Sequence, residues 1–365
     1  MTNLFADCHL HLLAYARSLT ELDLGAPDCA TIPDVLARLR QVPVRHGGWV
    51  VARGFDDALA SPPRLLERAE LDRVLPETPV RLRHRTGHAS LLNSAALAAL
   101  PPLPAGASLT LDQSEQAVLL VGAESWLDSI TGRPERAELV RGLRQADVEL
   151  GRVHIARVWD ASPRSEAAQA CLLELVAEAG FSRQLRLMAS PDAAQSSPHA
   201  SAVKVFVSQP EDLTAVINAA HRASLPVAVH ATEPWEIEAA VTAIERCATP
   251  ELTDRIEHAT LISRIQAERL AAVGSVVVAN PGWIVSRSKK YHAQLRAGEC
   301  QHVMPLATIL RTGCGLAFGS DAPVDRPDPG HWMRAAVERL GPERITTEQA
   351  LQAAIGAAVW SATRL

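Results

Sequence analysis

Short apolar segments alternate with amphipathic segments along most of the chain. The apolar runs are rich in Val, Leu and Ile on both faces, which is typical of parallel strands that are buried on both sides. The predicted strands are Leu4–Cys8, Val153–Trp159, Gln184–Met188, Ala202–Val207, Pro226–His230, Arg255–Ala259, Ser275–Ala279 and Leu316–Gly319.

Helix signals follow most of these strands. Ser162 and Pro163 predict the N-cap and first turn of a helix that ends near Gly180. Further N-terminal capping boxes are predicted at Ser208–Glu211, Ser263–Gln266 and Thr346–Gln349.

The alternation of strand and helix predicts an α/β fold, a TIM-like (β/α)8 barrel. The competing fold, an open doubly wound sheet, should carry a glycine-rich phosphate turn after its first strand. The residues from Cys8 to His11 contain no glycine, which favours the barrel.

One long segment interrupts the alternation. About 140 residues separate the first two predicted strands, far more than an ordinary connection in such a fold. This segment contains its own predicted strands, Trp49–Arg53 and Val80–His84. We therefore expect a single barrel domain over residues 1–365, with an inserted subdomain at residues 45–125 over the barrel mouth.

Composition excludes several classes of function. The 365 residues carry a net charge of -5, so no basic field exists for nucleic acid. The six cysteines are scattered without a C-x-x-C pair, which argues against a disulfide framework or a cysteine zinc site. Neither a signal peptide nor a membrane-spanning run is evident. We expect a cytoplasmic protein that acts on a small molecule, with no nucleic-acid or membrane partner.

Ionisable residues stand at the carboxyl ends of the predicted strands, where barrel enzymes build their active sites. His9 and His11 are two residues apart and would project together from the first strand, as zinc ligands can. His230, His258 and Asp321 each follow a later apolar run. Barrel closure brings these ends together, and a divalent cation would offset the cost of burying them.

Lys204 lies inside the apolar run Ala202–Val207. A lysine in a buried strand is costly unless it is paired or modified. A buried pair with a carboxylate and an exposed edge strand are the two structural alternatives to a role at a metal.

Taken in order, these residues resemble the amidohydrolase superfamily, with D-x-H-x-H on strand 1, Lys on strand 4, His on strands 5 and 6, and Asp on strand 8. The chain looks most similar to the branch of N-substituted formamide deformylase-like proteins. The segments that carry the resemblance are Asp7–Leu12, Arg53–Asp57, Thr86–Asn93, Arg255–Ala259 and Phe318–Val324.

The resemblance implies two zinc ions that activate water to hydrolyse a non-peptide C–N bond, in an amide or a cyclic amide. His9, His11 and Asp321 would hold one ion, and His230 and His258 the other. Carboxylated Lys204 would lie between the ions, and Asp321 would act as general base and then acid. His88 and Asn93 would contact the substrate, although capping of the helix near Asn93 is an equal alternative.

Two departures from the family pattern leave other functions open. From the sequence we expect the family's flanking β-sandwich to be absent, in which case a second copy of the chain could cover that flank, or the barrel could bind ligands without catalysis. Glu233, three residues after His230, resembles the proton shuttle of mononuclear zinc deaminases. A carboxylate at a helix N-terminus is the structural alternative for Glu233. Asp160, which ends the second strand, is either a partner of a metal-bound histidine or a helix cap.

Overall fold

The computed structural model describes residues 4–24, 29–41, 44, 48–60, 63–85, 89–103, 108–111, 118–121, 123–131, 134–207, 213–288, 291, 295–296 and 299–360. Strands and helices are numbered in chain order within these residues. The strands are β1 (Phe5–Leu10), β2 (Val50–Phe55), β3 (Val80–His84), β4 (Ala89–Leu92), β5 (Ser108–Leu111), β6 (Val118–Val121), β7 (Ile155–Arg164), β8 (Gln184–Ala189), β9 (Ala200–Phe206), β10 (Val227–Ala231), β11 (Arg255–His258), β12 (Val276–Ala279) and β13 (Gly315–Phe318).

Helices occupy most of the remaining described residues. They are α1 (Leu12–Ser18), α2 (Ile32–Leu39), α3 (Arg68–Val74), α4 (Ser94–Ala99), α5 (Glu124–Ile130), α6 (Arg136–Arg152), α7 (Glu166–Ala179), α8 (Leu213–Arg222), α9 (Pro234–Cys247), α10 (Arg264–Ala272), α11 (Gly282–Ser286), α12 (Leu306–Arg311), α13 (Pro329–Glu338), α14 (Thr347–Ile355) and α15 (Ala357–Trp360). No helix in the described part of the chain is long and apolar enough to cross a membrane.

The chain forms two compact units, of which the first comprises Met1–Tyr15 and Leu143–Leu365. In its described residues, eight parallel strands follow one another in the order β1-β7-β8-β9-β10-β11-β12-β13. Each of the eight strands predicted from the sequence coincides with one of these within a few residues. The prediction of an α/β, TIM-like barrel is confirmed.

The loop after β13 joins the last strand to the first. The Asp321 N–H donates to the carbonyl of His9 over 2.7 Å, and the His11 N–H donates to the carbonyl of Ala322 over 2.9 Å. Gly319 makes this contact possible, because a Cβ at that position would lie 2.6 Å from the Cβ of His9. The carboxyl ends of β1 and β13 are therefore held side by side.

The predicted start of the helix after the second barrel strand is wrong. β7 continues through Ser162 and Pro163 to Arg164, and Ser165 is the N-cap of α7, accepting a hydrogen bond from the Ala168 N–H over 3.3 Å. Capping boxes begin α10 at Ser263 and α14 at Thr346, as predicted. The predicted box at 208–211 lies outside the described residues.

The second compact unit comprises Ala16–Gly142, a longer stretch than the predicted 45–125. Its described strands form a five-stranded sheet in the order β2-β3-β4-β6-β5, in which only the β2–β3 pair is parallel. Leu24, Val50, Phe55 and Leu71 lie in a buried apolar cluster made of residues from this unit alone. The second unit therefore has its own hydrophobic core.

Candidate metal centre

β1 places two histidines at its carboxyl end with different exposure. His9 lies in the strand and its side chain is 1% exposed, whereas His11 follows the strand and is 30% exposed. The pairing register with β7 shifts between Asp7 and Leu10, a stretch that contains His9. The two histidines therefore stand on either side of Leu10, the last residue of the strand.

Asp321 is held in a strained turn by Asp7. The φ angle of Asp321 is 60°, in the left-handed region that residues other than glycine seldom adopt. The preceding residue, Ser320, donates its hydroxyl to Asp7 Oδ2 over 2.6 Å and its N–H to Asp7 Oδ1 over 3.0 Å. Burial raises the pKa of Asp7 to about 7 despite these bonds. Asp7, the first residue of the D-x-H-x-H pattern, thus anchors the loop that carries Asp321.

His9, His11 and Asp321 come together at one point. One ligand atom from each residue lies within 4.8 Å of the other two. Asp321 Oδ1 is 3.3 Å from His9 Nε2 and 3.2 Å from His11 Nε2. Burial alone would raise the pKa of Asp321, but its contacts with His11 and His9 hold it well below its usual range. The carboxylate is therefore ionised.

The other nitrogen of His9 is taken by a buried carboxylate. His9 Nδ1 contacts Glu257 Oε2, and Glu257 is fully buried. Burial would raise the pKa of Glu257, but the charge of Arg255 and the contact with His9 hold it well below its usual range. Because an ionised carboxylate only accepts, His9 Nδ1 donates to Glu257. In the neutral ring, the form that binds a metal, the lone pair therefore lies on Nε2, which faces Asp321.

His11 is oriented in the same way by a hydroxyl. Ser162 Oγ donates to Asp160 Oδ1 over 2.9 Å, so it can accept from His11 Nδ1, which lies 3.0 Å away. In the neutral ring, His11 Nε2 then faces Asp321 with its lone pair as well. With both rings neutral, two nitrogen lone pairs and a carboxylate oxygen meet at one point and repel each other unless a cation lies among them. The donor set thus fits a divalent metal ion.

His258 and His230 form a second pair next to His9. The ring centroids of His258 and His9 are 4.7 Å apart, and His258 Nε2 is 3.1 Å from His230 Nδ1. Asn280 Nδ2 donates to the carbonyl of Gly319 over 3.0 Å, so its Oδ1 accepts from His258 Nδ1 over 2.7 Å. Here too the Nδ1 proton is engaged, so a cation would bind Nε2 in place of its contact with His230 Nδ1.

Burial keeps this second pair neutral. It lowers the pKa of His230 to about 4, with the charge of Lys204 acting in the same direction. Burial and the neighbouring His9 hold the pKa of His258 well below its usual range. Neutral imidazole is the form that binds a metal.

Lys204 lies on β9 with its side chain inside the barrel. It is 1% exposed, which excludes an exposed edge strand. Nζ has no hydrogen-bond partner among the described residues. Burial lowers the pKa of Lys204 to about 8, although the carboxylates of Glu257 and Asp321 favour its charged form. A buried amine that loses its proton near neutral pH can react or take a ligand position.

The structure does not gather every residue singled out from the sequence. Asn93 is the N-cap of α4 in the second unit: its Oδ1 accepts from the N–H groups of Ala96 and Val80, each over 2.9 Å. Its Nδ2 donates to two backbone carbonyls. Capping, the alternative role, thus uses the whole amide. His88 lies outside the described residues.

Glu233 and Asp160 have local roles. Glu233 is exposed at the N-cap of α9, where its N–H donates to Glu236 Oε2 over 2.9 Å. Asp160 is buried and accepts from Ser162, from the N–H of Leu12 over 3.2 Å and from Arg164 Nε over 2.6 Å. Asp160 therefore supports the hydroxyl that orients His11, and it also bonds the first residue of α1.

Sequence reasoning missed Glu257 and Asn280 as partners of the histidines. A signal existed for each, since Glu257 directly precedes the predicted ligand His258 and Asn280 directly follows β12. Neither pattern says which ring nitrogen the side chain contacts.

Comparisons with known proteins agree with this geometry. The amidohydrolase family model matches residues 1–362. An N-substituted formamide deformylase of Arthrobacter pascens is 26% identical over 422 aligned residues, covering 95% of this chain and 77% of the relative. The amidohydrolase YtcJ of Bacillus subtilis is 23% identical over 387 residues, covering 92% of this chain and 72% of the relative.

A solved structure shares the fold. An uncharacterized metal-dependent hydrolase from Pyrococcus furiosus superposes with a TM-score of 0.74 at 23% identity, covering 98% of this chain and 82% of that chain. The family match extends over nearly the whole chain and includes the His and Asp residues described above. The chain therefore belongs to the amidohydrolase family.

Proposed function

We propose that this chain hydrolyses a non-peptide C–N bond, in an amide or a cyclic amide of a small molecule, with two zinc ions. One observation carries the proposal: the His9, His11 and Asp321 group adjoins the His230 and His258 pair. Similarity to an N-substituted formamide deformylase supports an amide as substrate.

The ligands divide into two sets with a lysine between them. His9, His11 and Asp321 would hold one ion, and His230 and His258 the other. Lys204, carboxylated on Nζ, would bridge the two sets, which would satisfy an amine that has no hydrogen-bond partner among the described residues. Zinc ions at these positions supply Lewis-acid activation of water and of the scissile carbonyl.

Asp321 would move the proton. Its Oδ1 lies within 3.3 Å of both His9 Nε2 and His11 Nε2, so the carboxylate is fixed at the centre of the site. Asp321 would take a proton from the attacking water and pass it to the leaving nitrogen, as general base and then general acid.

Metal content tests the two-ion proposal. Protein purified without chelator should contain about two zinc-like ions per chain by elemental analysis, and Lys204→Ala should contain fewer. His221→Gln is the matched control, because His221 is a partly buried histidine bonded to Asp254 outside the site. It should retain the parent's metal content. One ion in the parent, unchanged in Lys204→Ala, would contradict the bridging lysine.

The products test the bond that is cleaved. A panel of N-substituted amides and cyclic amides should yield a new carboxylate and an amine in equal amounts, and Asp321→Asn should abolish turnover. Release of ammonia from a ring without a new carboxylate, together with loss of activity in Glu233→Gln, would instead support the mononuclear deaminase.

A further inference from the structure

Three charged or ionisable side chains form a line inside the barrel. Arg255 and Glu257 lie on β11, and His9 lies on β1; they are 3%, 0% and 1% exposed. β1 and β11 are not neighbours in the sheet, so the contact between Glu257 and His9 crosses the barrel interior.

The two oxygens of Glu257 have different partners. Oε2 contacts His9 Nδ1, and Oε1 lies 2.6 Å from Arg255 Nε. Arg255 is itself fixed, because its Nη2 donates to the carbonyl of Cys8 over 3.1 Å. Its guanidinium carbon is 4.4 Å from the ring centroid of Trp159. The charge of Arg255 therefore lies next to Oε1, while Oε2 contacts His9.

A buried ion pair has a large desolvation cost, so it adds little net stability to a barrel. Desolvation of both charges commonly offsets their attraction, and well-packed apolar side chains of similar volume often stabilise as much or more. A carboxylate on the distal nitrogen of a metal-binding histidine does something apolar packing cannot do. It fixes the tautomer and ring orientation and makes the other nitrogen a better ligand.

We propose that Glu257, held by Arg255, is a positioning residue that directs the Nε2 lone pair of His9 to the metal. This inference rests on the proposed function only in that a metal binds at His9, His11 and Asp321. It assigns to Glu257 no contact with the substrate or with the metal.

Zinc affinity is the direct measure of such positioning. The full-length protein is freed of metal by a chelator, and its zinc affinity is then measured by competition with a chromophoric chelator at fixed pH. Glu257→Gln keeps an acceptor for His9 but loses the charge, and Glu257→Leu loses both. We expect a loss of zinc affinity of about 10–100-fold, larger for Glu257→Leu than for Glu257→Gln.

Glu343→Gln is the matched control. Glu343 is also buried, at 3% exposure, and accepts from the N–H and hydroxyl of Thr308 over 2.8 and 2.7 Å. This variant should unfold at lower denaturant than the parent, yet bind zinc as tightly. Cobalt(II) substitution adds a second measure, since the visible absorption of the bound ion should change in the Glu257 variants and not in Glu343→Gln.

The outcomes separate the inference from the proposed function. Glu257 variants that are destabilised but bind zinc like the parent would overturn the positioning role and leave the metal centre standing. A parent that binds no zinc would overturn both.

Discussion

The chemistry of the candidate metal centre depends on the neighbours of its histidines. Glu257, Ser162 and Asn280 engage Nδ1 of His9, His11 and His258 in turn. In each neutral ring this leaves Nε2 to serve as the ligand atom. Three histidines whose Nδ1 atoms are engaged by three different side chains indicate a site preorganised for a cation.

Gly319 is a residue at which an added side chain would disturb the close approach of β13 to β1. A Cβ there would lie 2.6 Å from His9 Cβ and 2.7 Å from His9 N, and the backbone atom cannot give way easily. Gly319→Ala should lower the free energy of unfolding by roughly 1–3 kcal/mol, as overpacking does, and should weaken zinc binding by displacing His9. Urea unfolding and zinc titration measure the two effects.

Gly151→Ala provides the contrast for this prediction. Gly151 lies in α6, and a Cβ there meets nothing closer than 3.7 Å, from Arg183. Alanine should raise the free energy of unfolding by about 0.5–1 kcal/mol through helix propensity. Equal effects of the two substitutions would show that Gly319 is not constrained by His9.

At the scale of elements, two serines at the junction of β7 and α7 have different roles. Ser165 caps α7, whereas Ser162 bonds His11 and Asp160. Ser165→Ala should lower the free energy of unfolding by about 1 kcal/mol without changing zinc affinity. Ser162→Ala should weaken zinc binding, because the His11 ring loses its acceptor. If Ser162→Ala lowered the stability without changing zinc affinity, and Ser165→Ala weakened zinc binding, Ser162 would be the N-cap after all.

α8 is connected to its neighbours by His221, which has an acceptor at each ring nitrogen. His221 Nε2 lies 3.0 Å from Asp254 Oδ1, and His221 Nδ1 lies 3.1 Å from the carbonyl of Cys247 at the end of α9. Burial disfavours the charged ring, but the bond and charge of Asp254 outweigh it and raise the pKa of His221. With an acceptor at each nitrogen, the doubly protonated ring is favoured.

The stabilisation from His221 should therefore depend on pH. Because the folded-state pKa is raised above the usual 6.5, the contribution is complete below that pH and is lost as pH rises through the folded-state value. His221→Gln should destabilise the protein more at pH 6 than at pH 9 in urea titrations, by roughly 1.5–3 kcal/mol at the acidic end. His302→Gln, at an exposed histidine, should show no such difference. A loss that is the same at both pH values would contradict a charged ring.

At the scale of the whole molecule, the second unit is one continuous stretch with its own sheet and core. Its two ends meet, since a Cβ on Gly142 would lie 2.3 Å from the carbonyl oxygen of Ala16. A unit whose ends are adjacent can be inserted into a loop without stretching the chain.

A fragment of residues 12–152, which keeps α1 and α6 whole, should fold by itself. Circular dichroism should show a cooperative thermal transition, because the fragment contains a complete five-stranded sheet and apolar cluster. A fragment of residues 184–323 has similar length but lacks β1 and β7, so its parallel strands are unpaired at both edges and it should not unfold cooperatively. Gradual melting of the first fragment would contradict an independent core.

Local patterns in the sequence determined the eight barrel strands and the ionisable residues at their ends. Apolar runs and helix caps act over a few neighbouring residues, so they can be read without the fold. The pattern failed at Ser162, where a serine followed by proline is typical of a helix start but the strand continues. The predicted insert at residues 45–125 lies within the second unit, Ala16–Gly142, and no local pattern marks where that unit begins or ends.

Only the tertiary structure decided how the candidate site is organised. The Glu257–His9 contact joins residues 248 positions apart, and the Asp7–Ser320 bonds join residues 313 apart. Such contacts depend on barrel closure, which no local pattern encodes. The sequence by itself determined which ligand-type residues stand at the strand ends. The barrel decided which nitrogen of each histidine is left for a metal, because the partner of the other nitrogen comes from a different strand or from the residue that follows one.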